Sequence, residues 1–373
     1  RWTFLGRFAY GTDETGGRHK ILAYPVNLYL AIDTLRGVSR ACGPDEVRPG
    51  GIVRDRRCNL TSHPGADGRL QVRFTASRDE MHPKRDMSPL DADAVCAAIR
   101  AEWDAFIRTV PPAPAGHAAA AMESWYCLWS CTIRAQGNYR SDAVLMSRKF
   151  MTSVWSWDHC FNALALGMFD ARRAREQFLL PFGGQLPCGV LPDNLDAFAE
   201  PKYCVTKPPI HGWCLNRLLD RHSYAVDELQ ALRVCLERWT DWWMVYRDAD
   251  GDGLPEYPLA LDSGWDNTTL LDPDFFVASP DLAAYLVLQM RLLSRVCGMV
   301  GDAPDACAWM QRADALRERL FAELWDGRTF FARRCHTREP VAVRSSLMTL
   351  MPLVLGAELP ADIGRAQVQR LET

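Results

Sequence analysis

The chain has 373 residues, of which 48% are hydrophobic and 24% are charged, and its formal net charge is −3 at pH 7. These values are typical of a globular protein with one large domain or two ordinary ones. A small negative charge without a Lys/Arg run gives no electrostatic case for binding nucleic acid or an anionic membrane. No apolar stretch approaches the ~20 residues that span a bilayer. We therefore predict that neither nucleic acid nor a membrane is a partner.

The cysteines and tryptophans bear on location and ligand. The 13 cysteines are scattered singly without a CxxC pair, which favours reduced thiols over a disulfide framework or a zinc site and so predicts a cytoplasmic protein. The 13 tryptophans are an unusually high count, and they mildly favour carbohydrate because an indole face packs against sugar C–H groups. Residue 1 is Arg, and the helical pattern of 364–373 ends without a cap. We expect the sequence to be incomplete at both ends.

The first third of the chain has mixed character. Residues 1–86 alternate short apolar runs with Gly, Pro, Asp and Asn, and Gln71–Thr75 has the period-two pattern of a half-buried strand. We predict a β-rich segment at 1–86. A helix to about residue 108 and a Pro/Ala-rich linker then fill 87–119, and a helical domain occupies 120–373.

From residue 120 onward the apolar spacing is helical. Helices are predicted at 120–135, 158–180, 209–221, 225–246, 280–299, 304–324 and 343–356. In the predicted helix at 280–299, the apolar residues are spaced four, four, three and four apart, which places them in one stripe on one face. These residues are Leu282, Leu286, Met290, Leu293 and Cys297. Long loops at 137–157, 181–208 and 247–279 alternate with short joins. Helical hairpins whose long loops share one end predict a layered helical toroid with a site at one mouth.

The hexapeptide Asp262–Asn267, DSGWDN, holds two carboxylates beside a Gly and a Trp. An indole can pack on a pyranose ring, and its apolar bulk raises the pKa of a neighbouring carboxyl so that it serves as a general acid. The same composition also suits a surface turn, since Asp, Ser, Gly and Asn gather in turns for backbone reasons. The hexapeptide alone leaves both interpretations open.

A second candidate segment is WSWDH, residues 155–159. Asp158 could accept two sugar hydroxyl protons, with Trp155 or Trp157 walling the site. It could equally be the first-turn acid of a helix. His159 and His211 have no His or Cys at metal-ligand spacing, so we interpret both as structural histidines.

The segment DADGDG begins like a calcium-binding loop, with Asp248, Asp250 and Asp252 at its first, third and fifth positions. An EF-hand is rejected because Leu259 stands where the bidentate Glu belongs. These three carboxylates could still bind calcium as a structural ion in a less regular site. The alternative interpretation is a tight Asp/Gly turn.

Four segments follow one another in order: WSWDHCFNALAL, GVLPDN, KPPIHGW and RDADGDGLPEY…DSGWDNT. Together they resemble glycoside hydrolase family 63, the group of processing α-glucosidases and mannosylglycerate hydrolases, with trehalases and glucoamylases as more distant fold relatives. The resemblance covers roughly 120–373 and implies an (α/α)6 barrel. Residues 1–86 would then be the tail of the β-sandwich that precedes the barrel in this group.

The resemblance also implies roles for particular residues. Asp266 is expected to be the general acid of an inverting glycosidase, and Asp158 to bind the sugar in the subsite of cleavage. Further substrate contacts are expected from Trp155, Trp157, Trp265 and Asn267. The implied substrates are α-glucosides or related α-linked sugars, as an oligosaccharide or a small glycoside, and no cofactor is required.

Inversion needs a second carboxylate, about 6.5–9.5 Å from the acid, that activates water. In the family this Glu lies in the last third of the barrel, and Glu323, Glu339 and Glu358 lack the expected aromatic and Gly context. We expect the general base beyond residue 373, the C-terminal third of the barrel missing, and the fragment alone inactive. A non-hydrolytic carbohydrate-binding protein or inactive remnant is the rival interpretation.

A sugar epimerase on the same barrel ranks last, because His159, His211 and His222 show no pairing by spacing. An open barrel should also leave two apolar faces uncovered beside a groove at Asp266. Removing several hundred Å² of apolar contact would forfeit on the order of 10 kcal/mol. The candidate faces comprise Trp125, Leu128 and Trp129 on the first barrel helix and Leu347, Leu350 and Leu353 on the last.

Overall fold

The computed structural model describes residues 92–147, 151–271, 276–343 and 345–372, together with the strand residues 2–5, 8–12, 18–23, 57–64 and 70–77. The chain divides into two units. One comprises Arg1–Ala135 and Asp142–Ser153, and the other comprises Gln136–Ser141 and Val154–Thr373.

The first unit contains a five-stranded sheet. Its strands are β1 (Trp2–Leu5), β2 (Phe8–Thr12), β3 (Arg18–Ala23), β4 (Arg57–Pro64) and β5 (Leu70–Ser77). They are ordered β1-β2-β3-β5-β4, and every pair is antiparallel except the parallel pair β3–β5. The strand predicted at Gln71–Thr75 is confirmed by β5. That these strands are the tail of a β-sandwich stays a prediction.

Helices α1 (Ala92–Ile107) and α2 (Ala118–Ser130) follow, then the short antiparallel pair β6 (Thr132–Ile133) and β7 (Ala143–Val144). Trp103 of α1 packs edge-on against Trp129 and Tyr126 of α2, with ring centroids 5.2 and 5.7 Å apart. Trp129 is therefore buried, and the expectation that it lies on an uncovered face was wrong. The neighbouring Trp125 and Leu128 are half-buried.

The second unit is mainly helical. Its helices are α3 (Asp158–Leu166), α4 (Ala171–Leu179), α5 (His211–Leu219), α6 (Val226–Tyr246), α7 (Pro280–Met299), α8 (Ala303–Leu324) and α9 (Ala361–Glu372). Its short strands are β8 (Val154–Trp155), β9 (Asn194–Leu195), β10 (Glu256–Tyr257), β11 (Val277–Ala278) and β12 (Arg333–Arg334). Three 3₁₀ segments lie at Pro181–Gly184, Ala260–Ser263 and Leu347–Glu358.

Helix α7 is the core of this unit, since it packs against α5, α6, α8 and the 3₁₀ segment Leu347–Glu358. The five residues of its predicted stripe are all fully buried. The prediction of a single buried face was nevertheless too narrow, because neighbouring elements also cover residues on its other sides, such as Ala284 and Val287.

Helix α7 corrects the expectation that no apolar stretch approaches the length that spans a bilayer. With 20 residues and a mean hydropathy of 1.2, it is long and apolar enough to cross a membrane, alone among helices of the described residues. Within the fold 72% of this stretch is buried. Its apolar composition is thus accounted for by packing against protein.

Three predicted helices differ from the observed elements, and the first of them, predicted at 120–135, ends at Ser130 before β6. The segment 158–180 is not one helix but α3 and α4, because Asp170 accepts a hydrogen bond from the Arg173 amide and caps a new helix. The segment 343–356 is instead the 3₁₀ segment Leu347–Glu358, which contains Pro352, a residue without an amide hydrogen for an α-helical bond. In that segment Leu347 is exposed, whereas Leu350 and Leu353 are half-buried.

Candidate active site

Parts of the three long loops predicted from the sequence are joined by contacts within the second unit. The first and second are joined where β8 pairs with β9 and where the Ser156 amide donates to the Asp193 carbonyl at 3.3 Å. The second and third are joined by the Thr206 amide, which donates to Asp262 Oδ1 at 2.9 Å. These contacts bring the WSWD, GVLPDN, KPP and DSGWDN segments together.

Asp158 is the first residue of α3, with Trp157 at the cap position before it. Its carboxyl is therefore near the positive end of the helix dipole. Burial raises the pKa of Asp158, while its own backbone amide and the nearby Lys207 act in the opposite direction. The helix-start interpretation of Asp158 is correct as a description of its position, and it leaves the carboxylate free to serve in a site as well.

Gly264 joins the first and third loops by close packing. Its φ is +71°, a conformation that glycine adopts readily. A Cβ on Gly264 would lie 2.7 Å from Cη2 of Trp157, well inside van der Waals contact. The indole of Trp157 thus lies directly against the backbone that leads into Trp265 and Asp266.

Asp266 lies on the rim of an open cleft of about 400 Å³. The cleft is lined by Trp265, Asp266, Asn267, Thr268, Thr269, Val343, Ser345, Ser346 and Leu347. The Asp266 side chain is 60% exposed, and Asn267 is also exposed, whereas Trp265 is half-buried. The groove expected beside Asp266 is present, and the exposed Leu347 borders it.

Lys207 and Asp193 are buried in the same place, and neither is among the site residues predicted from the sequence. The Lys207 ammonium donates to the Leu261 carbonyl at 2.8 Å and lies 3.5 Å from Asp193 Oδ1 and 3.9 Å from Asp266 Oδ1. Asp193 is fixed further by Asn194, whose amide donates to Oδ2 at 2.8 Å. In the sequence, Lys207 lies in the KPP segment and Asp193 in the GVLPDN segment. These segments supported the family resemblance and gave no role to either side chain.

Asp262, the other carboxylate of the hexapeptide, is 1% exposed and lies beneath the site. It accepts from the Thr206 amide, and Arg247 lies 3.5 Å away. Burial raises the pKa of Asp262, and the Thr206 hydrogen bond, Arg247 and Lys207 oppose that shift. Its contacts are with protein groups, which indicates that it holds two loops together.

The remaining predicted residues lie around this centre. Trp155 is half-buried in β8, and its carbonyl is 3.1 Å from Nδ1 of His159. His159 and His211 are fully buried. Burial lowers the pKa of His211 to about 3, and its ring packs against Phe178, Phe182 and Trp239. Both histidines have the surroundings of structural residues.

The carboxylates of Asp248, Asp250 and Asp252 converge, with one oxygen of each within 4.8 Å of the others. Each also accepts a backbone amide of its own loop, in the pattern of a tight turn. Arg333 pairs with Asp252, and Arg338 lies 3.8 Å from Asp250. Positive charge therefore already faces this cluster, and a calcium ion here stays a prediction.

The three glutamates considered as substitutes for the base are engaged elsewhere. Glu358 accepts from Arg291 and Arg317, and Glu323 accepts from Arg333 at 2.6 Å. Glu339 is exposed in a loop and lies 3.8 Å from Arg334. Among the described residues that line the cleft, Asp266 carries the carboxylate.

Solved structures with a similar fold come from Thermus thermophilus. One is an uncharacterized conserved protein, at 21% identity and a TM-score of 0.56, covering 66% of this chain and 74% of that one. Another is a GH63 mannosylglycerate hydrolase in complex with glucose, at 21% identity and a TM-score of 0.55. That match covers 67% of this chain and 74% of the hydrolase. The same enzyme in complex with Tris and D-glycerate matches at 20% identity and a TM-score of 0.51, and the match covers 60% of this chain and 70% of the hydrolase. The fold is thus that of the helical glycoside hydrolases of family 63.

The family follows from a match of residues 151–373 to the model of the mannosylglycerate hydrolase MGH1-like glycoside hydrolase domain. The chain belongs to this family of glycoside hydrolases. None of the curated protein sequences matches the chain. The resemblance to glycoside hydrolase family 63 is thereby confirmed.

Proposed function

We propose that the second unit carries the acid side of an inverting glycosidase site for α-glucosides or related α-linked sugars. Asp266 protonates the leaving oxygen, and Asp158 accepts hydrogen bonds from the sugar bound next to it. Trp157 and Trp265 supply apolar walls, with Trp155 and Asn267 as further contacts. The general base that inversion requires is not among these residues.

One observation carries this proposal. The Trp157 indole lies against Gly264, so the segment with Asp158 and the segment with Asp266 form one packed unit. Both carboxylates also interact with the same ammonium, that of Lys207. An exposed carboxyl on a cleft rim with a half-buried indole beside it has the composition of a sugar site.

The test is Asp266→Asn, which removes the transferable proton and keeps the shape. In a version of the protein that carries the expected general base, we expect kcat for α-glucoside or mannosylglycerate hydrolysis to fall by ~10²–10⁴-fold or more, with little change in stability. The matched control is Asp362→Asn, at an exposed position of α9. An Asp266→Asn variant with near-normal kcat would remove Asp266 from the acid role.

The rival function is sugar binding without hydrolysis. It is favoured by the cleft composition, since Asp266 is the carboxylate among the described cleft residues and Glu323 and Glu358 pair with arginines. Calorimetric titration with glucose, maltose and mannosylglycerate, alongside an assay for released sugar, separates the two functions. Binding by the 373-residue chain with no released sugar would support the rival.

A further inference from the structure

The site contains a charge arrangement that the proposed acid role does not use. Four carboxylates, those of Asp158, Asp193, Asp262 and Asp266, all interact with the single ammonium of Lys207. Lys207 is only 7% exposed. A charge buried to this extent persists in folded proteins only when it is paired and hydrogen-bonded.

The ammonium is held at a fixed point. Its hydrogen bond to the Leu261 carbonyl at 2.8 Å ties it to the 3₁₀ segment that leads into Gly264 and Asp266. Its neighbour Thr206 donates its amide to Asp262, so two consecutive residues attach the KPP loop to the DSGWDN loop. From that point the Lys207 ammonium lies within 4 Å of both Asp193 and Asp266.

Asp266 needs such a contact. Its side chain is 60% exposed on a loop rim, and an exposed carboxylate samples several rotamers. Asp193 Oδ1 is buried and makes no hydrogen bond, so the ammonium at 3.5 Å is its electrostatic partner. Without that cation the Asp158, Asp193 and Asp266 carboxylates would repel one another, since like charges at short range raise the free energy of the folded site.

We propose that Lys207 is a positioning residue, whose ammonium holds the Asp193 and Asp266 carboxylates close to itself and so orients Asp266 toward the cleft. This inference rests on the proposed function, because it assigns Asp266 the acid role. Lys207 acts through the carboxylates and is not itself a catalytic residue.

The test compares Lys207→Met, which keeps an apolar stem and removes the charge, with Lys207→Arg, which keeps the charge. Lys202→Met is the matched control, because Lys202 lies in the same loop and its side chain is exposed. Crystal structures of the 373-residue chain give the direct readout. We expect the Asp193 and Asp266 carboxylates to separate in Lys207→Met and to stay in place in Lys207→Arg and Lys202→Met.

Kinetics supply a second readout that a purely structural role would not change. In a version of the protein that carries the expected general base, we expect Lys207→Met to lower kcat by ~10²-fold, the cost of misplacing a reacting group by about 1 Å. Lys207→Arg should recover most of this loss. Lys207→Met should unfold at a lower temperature than Lys207→Arg and Lys202→Met, because its buried carboxylates lack their cation. If Lys207→Met does not fold, Lys207→Gln removes the charge and keeps a donor for the Leu261 carbonyl.

Sugar binding should also change its pH dependence in Lys207→Met. The charged groups that face Asp158 are Lys207, Asp193 and Asp266, so losing the ammonium leaves only repulsion. The pKa of Asp158, already raised by burial, should rise further, and sugar affinity should decline at a higher pH than in the parent as the solution is acidified. Lys202→Met should match the parent.

The outcomes separate this inference from the proposed function. Carboxylates that stay unmoved in Lys207→Met would overturn the positioning role, whatever the kinetics. An Asp266→Asn variant that keeps its hydrolysis would overturn the acid role, while the structural comparison of the Lys207 variants would still decide whether the ammonium positions Asp193 and Asp266.

Discussion

At the residue scale, the contact between Gly264 and Trp157 makes a prediction about ligand binding. In Gly264→Ala the new methyl group must displace the Trp157 indole. We expect sugar affinity, measured by calorimetry, to fall by about tenfold or more, corresponding to roughly 1.4 kcal/mol or more of binding free energy.

The control for backbone strain is Gly301→Ala. Gly301 also has positive φ, +83°, but nothing lies within 4 Å of its Cβ position. Both variants should lose on the order of 1–2 kcal/mol of stability from the left-handed conformation, and only Gly264→Ala should lose affinity. Equal affinities in the two variants would contradict the role of Trp157 as a wall of the sugar site.

The sequence predicted some residues of the site and not others, for a physical reason. Asp158 and Asp266 stand beside Trp157 and Trp265, so their local context signals sugar chemistry. Lys207 has no Trp beside it in the sequence. Its partners Leu261 and Asp266 lie more than fifty residues away in the chain, so its local sequence gives no signal of a role. Its position becomes meaningful only when two loops are folded against each other.

At the element scale, helices α5 and α7 approach so closely that only a glycine fits between them. A Cβ on Gly212 would lie 2.7 Å from Cβ of Gln289. Gln289 also links three helices, since its Oε1 accepts from the Gly212 amide and its Nε2 donates to Thr240 Oγ1. Gly212→Ala must push α5 away and break this link.

We therefore expect Gly212→Ala to lower the free energy of unfolding by about 1–3 kcal/mol, the usual cost of overpacking a core. The matched helical control is Gly298→Ala in α7, where nothing lies within 4 Å of the added methyl group. That variant should gain about 0.5–1 kcal/mol from helix propensity. Urea denaturation measures both, and a Gly212→Ala variant as stable as the parent would show that α5 and α7 can separate without cost.

Helix prediction succeeded where the apolar spacing was regular, and it failed where a local hydrogen bond sets the position at which a helix begins. Helices α6, α7 and α8 lie within one residue of their predicted bounds. The break between α3 and α4 was missed because the apolar residues continue through it. The cap at Asp170 is visible in the sequence only as an Asp before a run of helix-forming residues.

At the scale of the whole molecule, a buried acid in α7 makes stability depend on pH. Asp281 is fully buried, and burial raises its pKa to about 6, partly offset by hydrogen bonds from Ser279 and Tyr257. The folded protein then binds a proton that the unfolded chain releases near pH 4. The stability due to this proton is complete below about pH 4 and is lost as the pH rises through about 6.

The measurement is the free energy of unfolding of the parent and of Asp281→Asn between about pH 4 and about pH 8. Because the Asn variant cannot ionise, its stability should fall less over this range, by a difference on the order of 3 kcal/mol. Asp362→Asn, on the exposed face of α9, should follow the parent. Parallel curves for all three proteins would mean that Asp281 has the same pKa in the folded and in the unfolded chain.

The contacts that build the site have a consequence for the order in which the protein folds. The bonds from Lys207 to Leu261 and from Thr206 to Asp262 join residues 54 and 56 positions apart. Such contacts carry the entropic cost of closing a long loop, so they form late. During synthesis the WSWD and KPP segments leave the ribosome before the DSGWDN segment has been made. Sugar affinity would therefore report the last stage of folding, after the helices are already in place.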